Sequence, residues 1–102
     1  MKEEPFGPLV PILTFKSFDE VIERANDNDL GLCSYLYTNS MDKAHIGSEK
    51  LESGCVAVNT GVVAIAEAPF GGIKQTGYGR EGGSGAIKDY LNVKYTHMGL
   101  KI

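Results

Sequence analysis

Nowhere does this chain carry an apolar run approaching the roughly 20 residues of a membrane-spanning helix. Its acidic start, Met1-Lys2-Glu3-Glu4, lacks the apolar stretch of a secretory leader. Both absences point to a cytoplasmic location and to no membrane partner. The 10 Lys and Arg residues are scattered, so no basic cluster is there to neutralise phosphates. With a net charge of -3 and a pI near 5.3, nucleic acid is not an expected partner either. Cysteine is scarce: Cys33 and Cys55 have neither metal spacing nor a CxxC partner and read as reduced, small, mostly buried residues, with a disulfide between them as the minor alternative. Cys33 lies within an apolar run and Cys55 just after a helix end, where the dipole raises a thiol pKa, so neither reads as a nucleophile. His45 and His97 are far apart and lack ligand-spaced companions, so no metal site is expected.

What remains is a chain of 102 residues, 42% apolar and 23% charged, the composition of one small globular domain. Met1 to Pro8 is polar and then turn-like, since Pro5, Gly7 and Pro8 forbid a helix. Leu9 to Phe15 is apolar and β-branched and reads as a first strand with Pro11 near its start. Ser17-Phe18-Asp19-Glu20 spells a capping box, and Phe18, Val21, Ile22 and Ala25 make one helical face running to about Asn26. Leu32 to Thr38 reads as a second strand, and Asn39-Ser40 starts a second helix with a narrow, small-residue face closed by Gly54. Cys55 to Asn59 is a third strand. Ser84 caps a short helix through Leu91, and Asn92 to Met98 alternates as a final strand, with Val93, Tyr95 and His97 on one side.

This order, β-α-β-α-β, then loop, short helix and strand, predicts an α/β fold: a small parallel sheet with helices packed on it. Three parallel strands leave open edges and an uncovered face, so the chain is expected to pair with more protein.

The stretch from Asn59 to Gly82, NTGVVAIAEAPFGGIKQTGYGREG, resists explanation as packing alone. Its glycines let backbone approach another surface, Pro69-Phe70 fixes one rigid aromatic point, and long connections of this kind line sites. Gly77, Gly79 and Gly82 spell a literal GxGxxG, but no strand precedes it and no acidic residue follows at the required distance, so a connection is favoured over a dinucleotide turn. Lys74 and Arg80 are the loop's cations, free to pair with Glu67, Glu81 or a ligand. No nucleophile with a base can be assembled from these residues.

Several segments together resemble the aldehyde dehydrogenase superfamily. Glu3-Glu4-Pro5-Phe6-Gly7-Pro8 is similar to its EExFGP segment. Asn59-Thr60-Gly61, the run from Pro69 to Gly77 and Gly79-Arg80-Glu81-Gly82 are similar to NxG, PFGGxKxSG and GREG, in the same order. Lys88-Asp89-Tyr90-Leu91 with Val93-Lys94-Tyr95 resembles the close of the succinate-semialdehyde dehydrogenase branch. The resemblance implies that residues 1-102 are the C-terminal part of the catalytic domain of an NAD(P)-dependent enzyme, using NAD or NADP to oxidise an aldehyde to an acid through a thiohemiacetal and hydride transfer. It implies that Glu4 contacts the nicotinamide ribose and Phe6 packs by the nicotinamide. Val63, Ala64 and Phe70 would line the substrate tunnel, and residues 92-102 would form an oligomerisation strand in a dimer or tetramer. The family's nucleophile, base, oxyanion asparagine and dinucleotide-binding domain lie upstream of EExFGP, so the resemblance assigns no catalytic residue here and implies that the chain alone is inactive. Where the succinate-semialdehyde branch often places a carboxylate-holding serine, this chain has Ala64. The alternatives are a non-catalytic binding or assembly module of the same fold that docks on other subunits, and a stand-alone nucleotide-binding domain.

Overall fold

The computed structural model describes residues 3-101; Met1 and Lys2 of the acidic start and Ile102 at the end of the tail lie outside them. The centre of the fold is a β-α-β unit. Strand β2 (Cys33–Leu36) pairs in parallel with β3 (Cys55–Val58), in register Cys33 to Cys55 through Leu36 to Val58. Helix α2 (Met41–Lys50) makes the crossover between them. Before it come helix α1 (Phe18–Asn26) and the two-residue strand β1 (Leu30–Gly31); after it, β4 (Ile73–Lys74) returns antiparallel to β1.

Local chemistry sets both helices. Ser17 caps α1, its Oγ accepting from the Glu20 amide at 3.2 Å, while the Glu20 carboxylate reaches one residue past the cap and accepts from the Lys16 amide at 2.8 Å. That bond, and secondarily Arg24, holds the Glu20 carboxyl below its ordinary range. The capping box expected from the sequence therefore forms with its reciprocal bond shifted by one residue. Ser40 caps α2 in the same way, accepting from the Lys43 amide. The small-residue face of α2 has a steric cause at Gly47: a β-carbon there would sit 2.6 Å from Leu36 Cδ2 and 3.3 Å from Phe18 Cζ, so any larger residue would make these side chains shift where α2 packs on β2 and α1.

Three elements expected from the sequence take other forms. Leu9 to Phe15 joins no ladder, and Val10, Ile12 and Leu13 are 82%, 84% and 70% exposed. The parallel sheet therefore has two strands here, not three. The helix expected from Ser84 is a 3-10 turn, Ala86–Tyr90. Asn92 to Met98 has no ladder partner among the described residues, although Tyr95 and His97 share a side as its alternation requires, their rings stacked at 6.5 Å. A strand exists only against a neighbour, and apolar alternation specifies a face without supplying the neighbour.

The core is correspondingly thin: among the described residues, only Ile22 and Ala57 are buried apolar side chains. The radius of gyration is 19.2 Å, against about 13 Å for a compact chain of 100 residues. The accessible surface is 8810 Å², where a closed globule of this mass exposes about 5,600 Å². The chain is an α/β unit with two terminal apolar arms, Leu9 to Phe15 and Val93 to Leu100, that it does not itself cover.

Candidate functional site

The arm that begins at Asn59 is fastened at both ends. Asn59 takes φ 56°, a left-handed conformation that asparagine tolerates better than most residues. Its side-chain amide clasps the Thr38 backbone, Oδ1 accepting from the amide and Nδ2 donating to the carbonyl, each at 2.9 Å. At the far end Phe70 and Glu81 exchange backbone hydrogen bonds of 2.7 and 2.9 Å, and the Gly83 amide donates to the Ala66 carbonyl. Between these fastenings the chain from Thr60 to Ala64 is largely exposed.

Two cations hold the returning half, and neither has the partner expected from the sequence. Lys74, at φ 55°, donates from Nζ to the Asn26 and Asn28 carbonyls at 2.9 and 3.0 Å and pairs with Glu52 at 2.6 Å. It occupies the C-terminus of α1, where the helix dipole favours a cation. Arg80 spends its Nη1 on the carbonyls of Gly72, Tyr78 and Gly79. Neither Glu67 nor Glu81 pairs with them. Gly54 also meets this segment: a β-carbon on Gly54 would collide with the Gly71 carbonyl oxygen, so the entry to β3 and the Phe70-Gly71-Gly72 backbone lie in direct contact.

Ala64 and Phe70 share one open hollow of about 350 Å³, with Ile65, Ala66 and Gly82 completing its apolar side. Val63 is half-buried and is not part of that lining. Glu4 is exposed on the irregular N-terminal segment, and Phe6 is 96% exposed. The structure thus brings two of the five expected site residues together and leaves Glu4 and Phe6 facing outward. A larger, shallow groove of about 570 Å³ lies behind the Lys74 anchor, beside Asn28, Asp29 and Gln75, and holds none of the five. No group of three or more His, Cys, Asp or Glu residues able to hold a metal occurs among the described residues. No helix among them is long and apolar enough to cross a membrane.

Sequence reasoning missed the anchoring role of Lys74 and the clasp of Asn59. The Asn59 signal was available, because an asparagine ending a strand before Thr-Gly is a left-handed turn candidate. No local signal joins Lys74 to α1. The GxGxxG at Gly77 to Gly82 neither opens a helix nor follows anything longer than the two residues of β4.

A pinned, glycine-rich arm on an α/β unit presents small apolar groups and one aromatic around an open hollow. Residues 1–96 match the aldehyde dehydrogenase family. The chain belongs to that family. It is 48% identical over 99 residues to the NADP(+) succinate-semialdehyde dehydrogenase of Escherichia coli, covering 97% of this chain and 20% of that protein. It is 50% identical over 94 residues to the glutarate-semialdehyde dehydrogenase of Pseudomonas putida, covering 92% and 20%. The NAD+ complex of an aldehyde dehydrogenase from Bacillus cereus superposes with a TM-score of 0.86 at 47% identity, over 91% of this chain and 19% of that one. The chain therefore spans about a fifth of the length of the curated relatives it matches.

Proposed function

We propose that this chain works as the C-terminal portion of an NAD(P)-dependent aldehyde dehydrogenase that oxidises a semialdehyde to the dicarboxylic acid, with succinate semialdehyde as the first substrate to test. The family match across residues 1–96 carries the reading, together with relatives of 48% and 50% identity named for succinate and glutarate semialdehydes. Those two substrates differ by one methylene, which makes the class of aldehyde a firmer proposal than its length. Ala64 offers no hydrogen bond to a distal carboxylate, so charge recognition in this reading falls to residues beyond this chain.

The bound nicotinamide dinucleotide would supply the hydride acceptor. Glu4 would receive the nicotinamide ribose and Phe6 would pack against the nicotinamide. Their outward placement, with Phe6 96% exposed, leaves both side chains free for such contacts. Val63, Ala64 and Phe70 would wall the aldehyde's path, and the pinned arm would keep that wall from collapsing when substrate is absent. The chain alone would be inactive, since no nucleophile with a base is assembled among the described residues. Leu9 to Phe15 would become the missing strand of the parallel sheet against the rest of the polypeptide, and residues 92-102 would pair across subunits of a homo-oligomer. The exposure of Val93, Tyr95 and Leu100, at 101%, 85% and 86%, supports that assignment.

In the complete enzyme, Glu4→Gln is expected to slow turnover by about tenfold or more while leaving the thermal midpoint in place, because one charge-assisted hydrogen bond to the cofactor is lost. Steady-state and single-turnover rates equal to those of the parent would remove Glu4 from the ribose.

A further inference from the structure

The two cysteines, separate in sequence, begin the two paired strands. Cys33 opens β2, Cys55 opens β3, and the register sets them directly opposite each other. Paired residues of neighbouring strands project to the same face, so both thiols lie on one side of the sheet. Both are free and half-buried. The Cys55 thiol donates to the Gly71 carbonyl at 3.6 Å, which ties it to the residue that follows Phe70. Burial first, and then the neighbouring Cys55 sulfur, push the Cys33 thiol above its ordinary range. The Cys55 sulfur is therefore near enough to act on the Cys33 thiol.

We propose that Cys33 and Cys55 form an oxidisable dithiol, which a low-molecular-weight disulfide of the oxidised-glutathione class converts to a cross-strand disulfide between β2 and β3. In the first exchange one cysteine thiolate attacks the small disulfide, forming a mixed disulfide and releasing one thiol. In the second, the other cysteine attacks the protein sulfur of that mixed disulfide and releases the second thiol. Two protein thiols are oxidised, one small disulfide is reduced to two thiols, and no other co-reactant is needed.

Strand spacing favours the bond and also limits its strength. Neighbouring strands lie about 4.8 Å apart, within the Cα separation of roughly 4.4 to 6.8 Å that disulfides span, but slightly beyond their usual Cβ separation of about 3.5 to 4.5 Å, so the strands must draw together a little there. A bond made under that constraint is readily reduced, as reversible, regulatory disulfides are. Oxidation also removes the S–H donor of Cys55 and with it the tie to Gly71. The state of the thiols would then reach the backbone beside Phe70. Its consequence for aldehyde binding rests on the dehydrogenase reading, whereas the cross-link does not.

The test treats the native protein, at the full length its source makes, with oxidised glutathione, blocks remaining thiols with iodoacetamide, and maps tryptic peptides without reductant. The expected product is the peptide spanning 25-43 joined to the peptide spanning 51-74, separated again by dithiothreitol. The ratio of this product to glutathione adducts should fall by about tenfold or more when the reaction is run in urea, where the register no longer holds the thiols together. A glutathione adduct as the end product on either peptide, alkylated thiols on both after oxidation of the native protein, or a ratio unchanged by urea would each overturn the proposal. A change in aldehyde turnover without the joined peptides would leave the dehydrogenase reading standing and this one fallen.

Discussion

Lys74 concentrates more structure than any other side chain of the arm. One ammonium satisfies two carbonyls at the end of α1 and the Glu52 carboxylate, and it does so from a residue held at positive φ, where a lysine is costly. The ammonium is mostly covered while Glu52 stays open to solvent, so the two carbonyl bonds matter more here than the ion pair, which solvent screens in part. Lys74→Met in the complete enzyme is expected to cost about 2 kcal/mol or more, read as a lower thermal midpoint, because two carbonyls and a carboxylate lose their donor together. An unchanged midpoint would mean water replaces the ammonium without loss. Little of this was legible beforehand. The sequence offers Glu67 and Glu81 as near partners, yet the pairing is decided by where β4 returns, a tertiary fact that no local pattern encodes. Asn59 is the opposite case, since its left-handed turn follows from residue type and neighbours.

At the scale of elements, whatever is closed by short-range chemistry could be read in advance. Both helices begin at their serine caps, and α1 ends at Asn26 as its apolar face implied. Strands β2 and β3 could be found because a β-α-β unit carries its own partner. Leu9 to Phe15 could be recognised as strand-like but finds no ladder within the chain, while β1 and β4 were illegible because two residues have no period. Of the candidate site, the family resemblance grouped Val63, Ala64 and Phe70, of which the hollow holds Ala64 and Phe70, whereas the fastenings of the arm had no local signal beyond Asn59. The Gly54 contact joins these two kinds of element, pressing the start of β3 against the returning arm. Gly54→Ala is expected to destabilise the complete enzyme by about 1 to 3 kcal/mol, since the added carbon meets backbone, which cannot rotate away. The check is the denaturation midpoint beside that of Gly85→Ala, where a β-carbon meets nothing within 4 Å.

The whole molecule exposes roughly 3,000 Å² more than a closed globule of its mass. Monomers seldom carry uncovered apolar patches beyond a few hundred Å², and in the proposed reading the rest of the polypeptide and neighbouring subunits cover the exposed apolar side chains of this surface. Expressed alone, the chain is expected to bind a hydrophobic dye such as anilinonaphthalene sulfonate strongly and to self-associate, and the complete polypeptide to do neither. Dye fluorescence with light scattering would check both, and an isolated chain that stays monomeric and dark would contradict the reading of the two arms as buried contacts.

The fastening of the arm at Asn59 and at the Phe70 to Glu81 bridge has an evolutionary consequence. Between them, Thr60 to Ala64 is an arc whose ends are fixed by bonds that do not pass through it. The closure entropy of such an arc grows only with the logarithm of its length, so residues can be exchanged, gained or lost there at small cost to the scaffold. Val63 and Ala64 sit in that arc, and Phe70 stands at its fixed rim. On the dehydrogenase reading proposed above, a lineage would retune which aldehyde fits by editing the arc while the rim stays constant, a division of labour between a variable stretch and a constant frame.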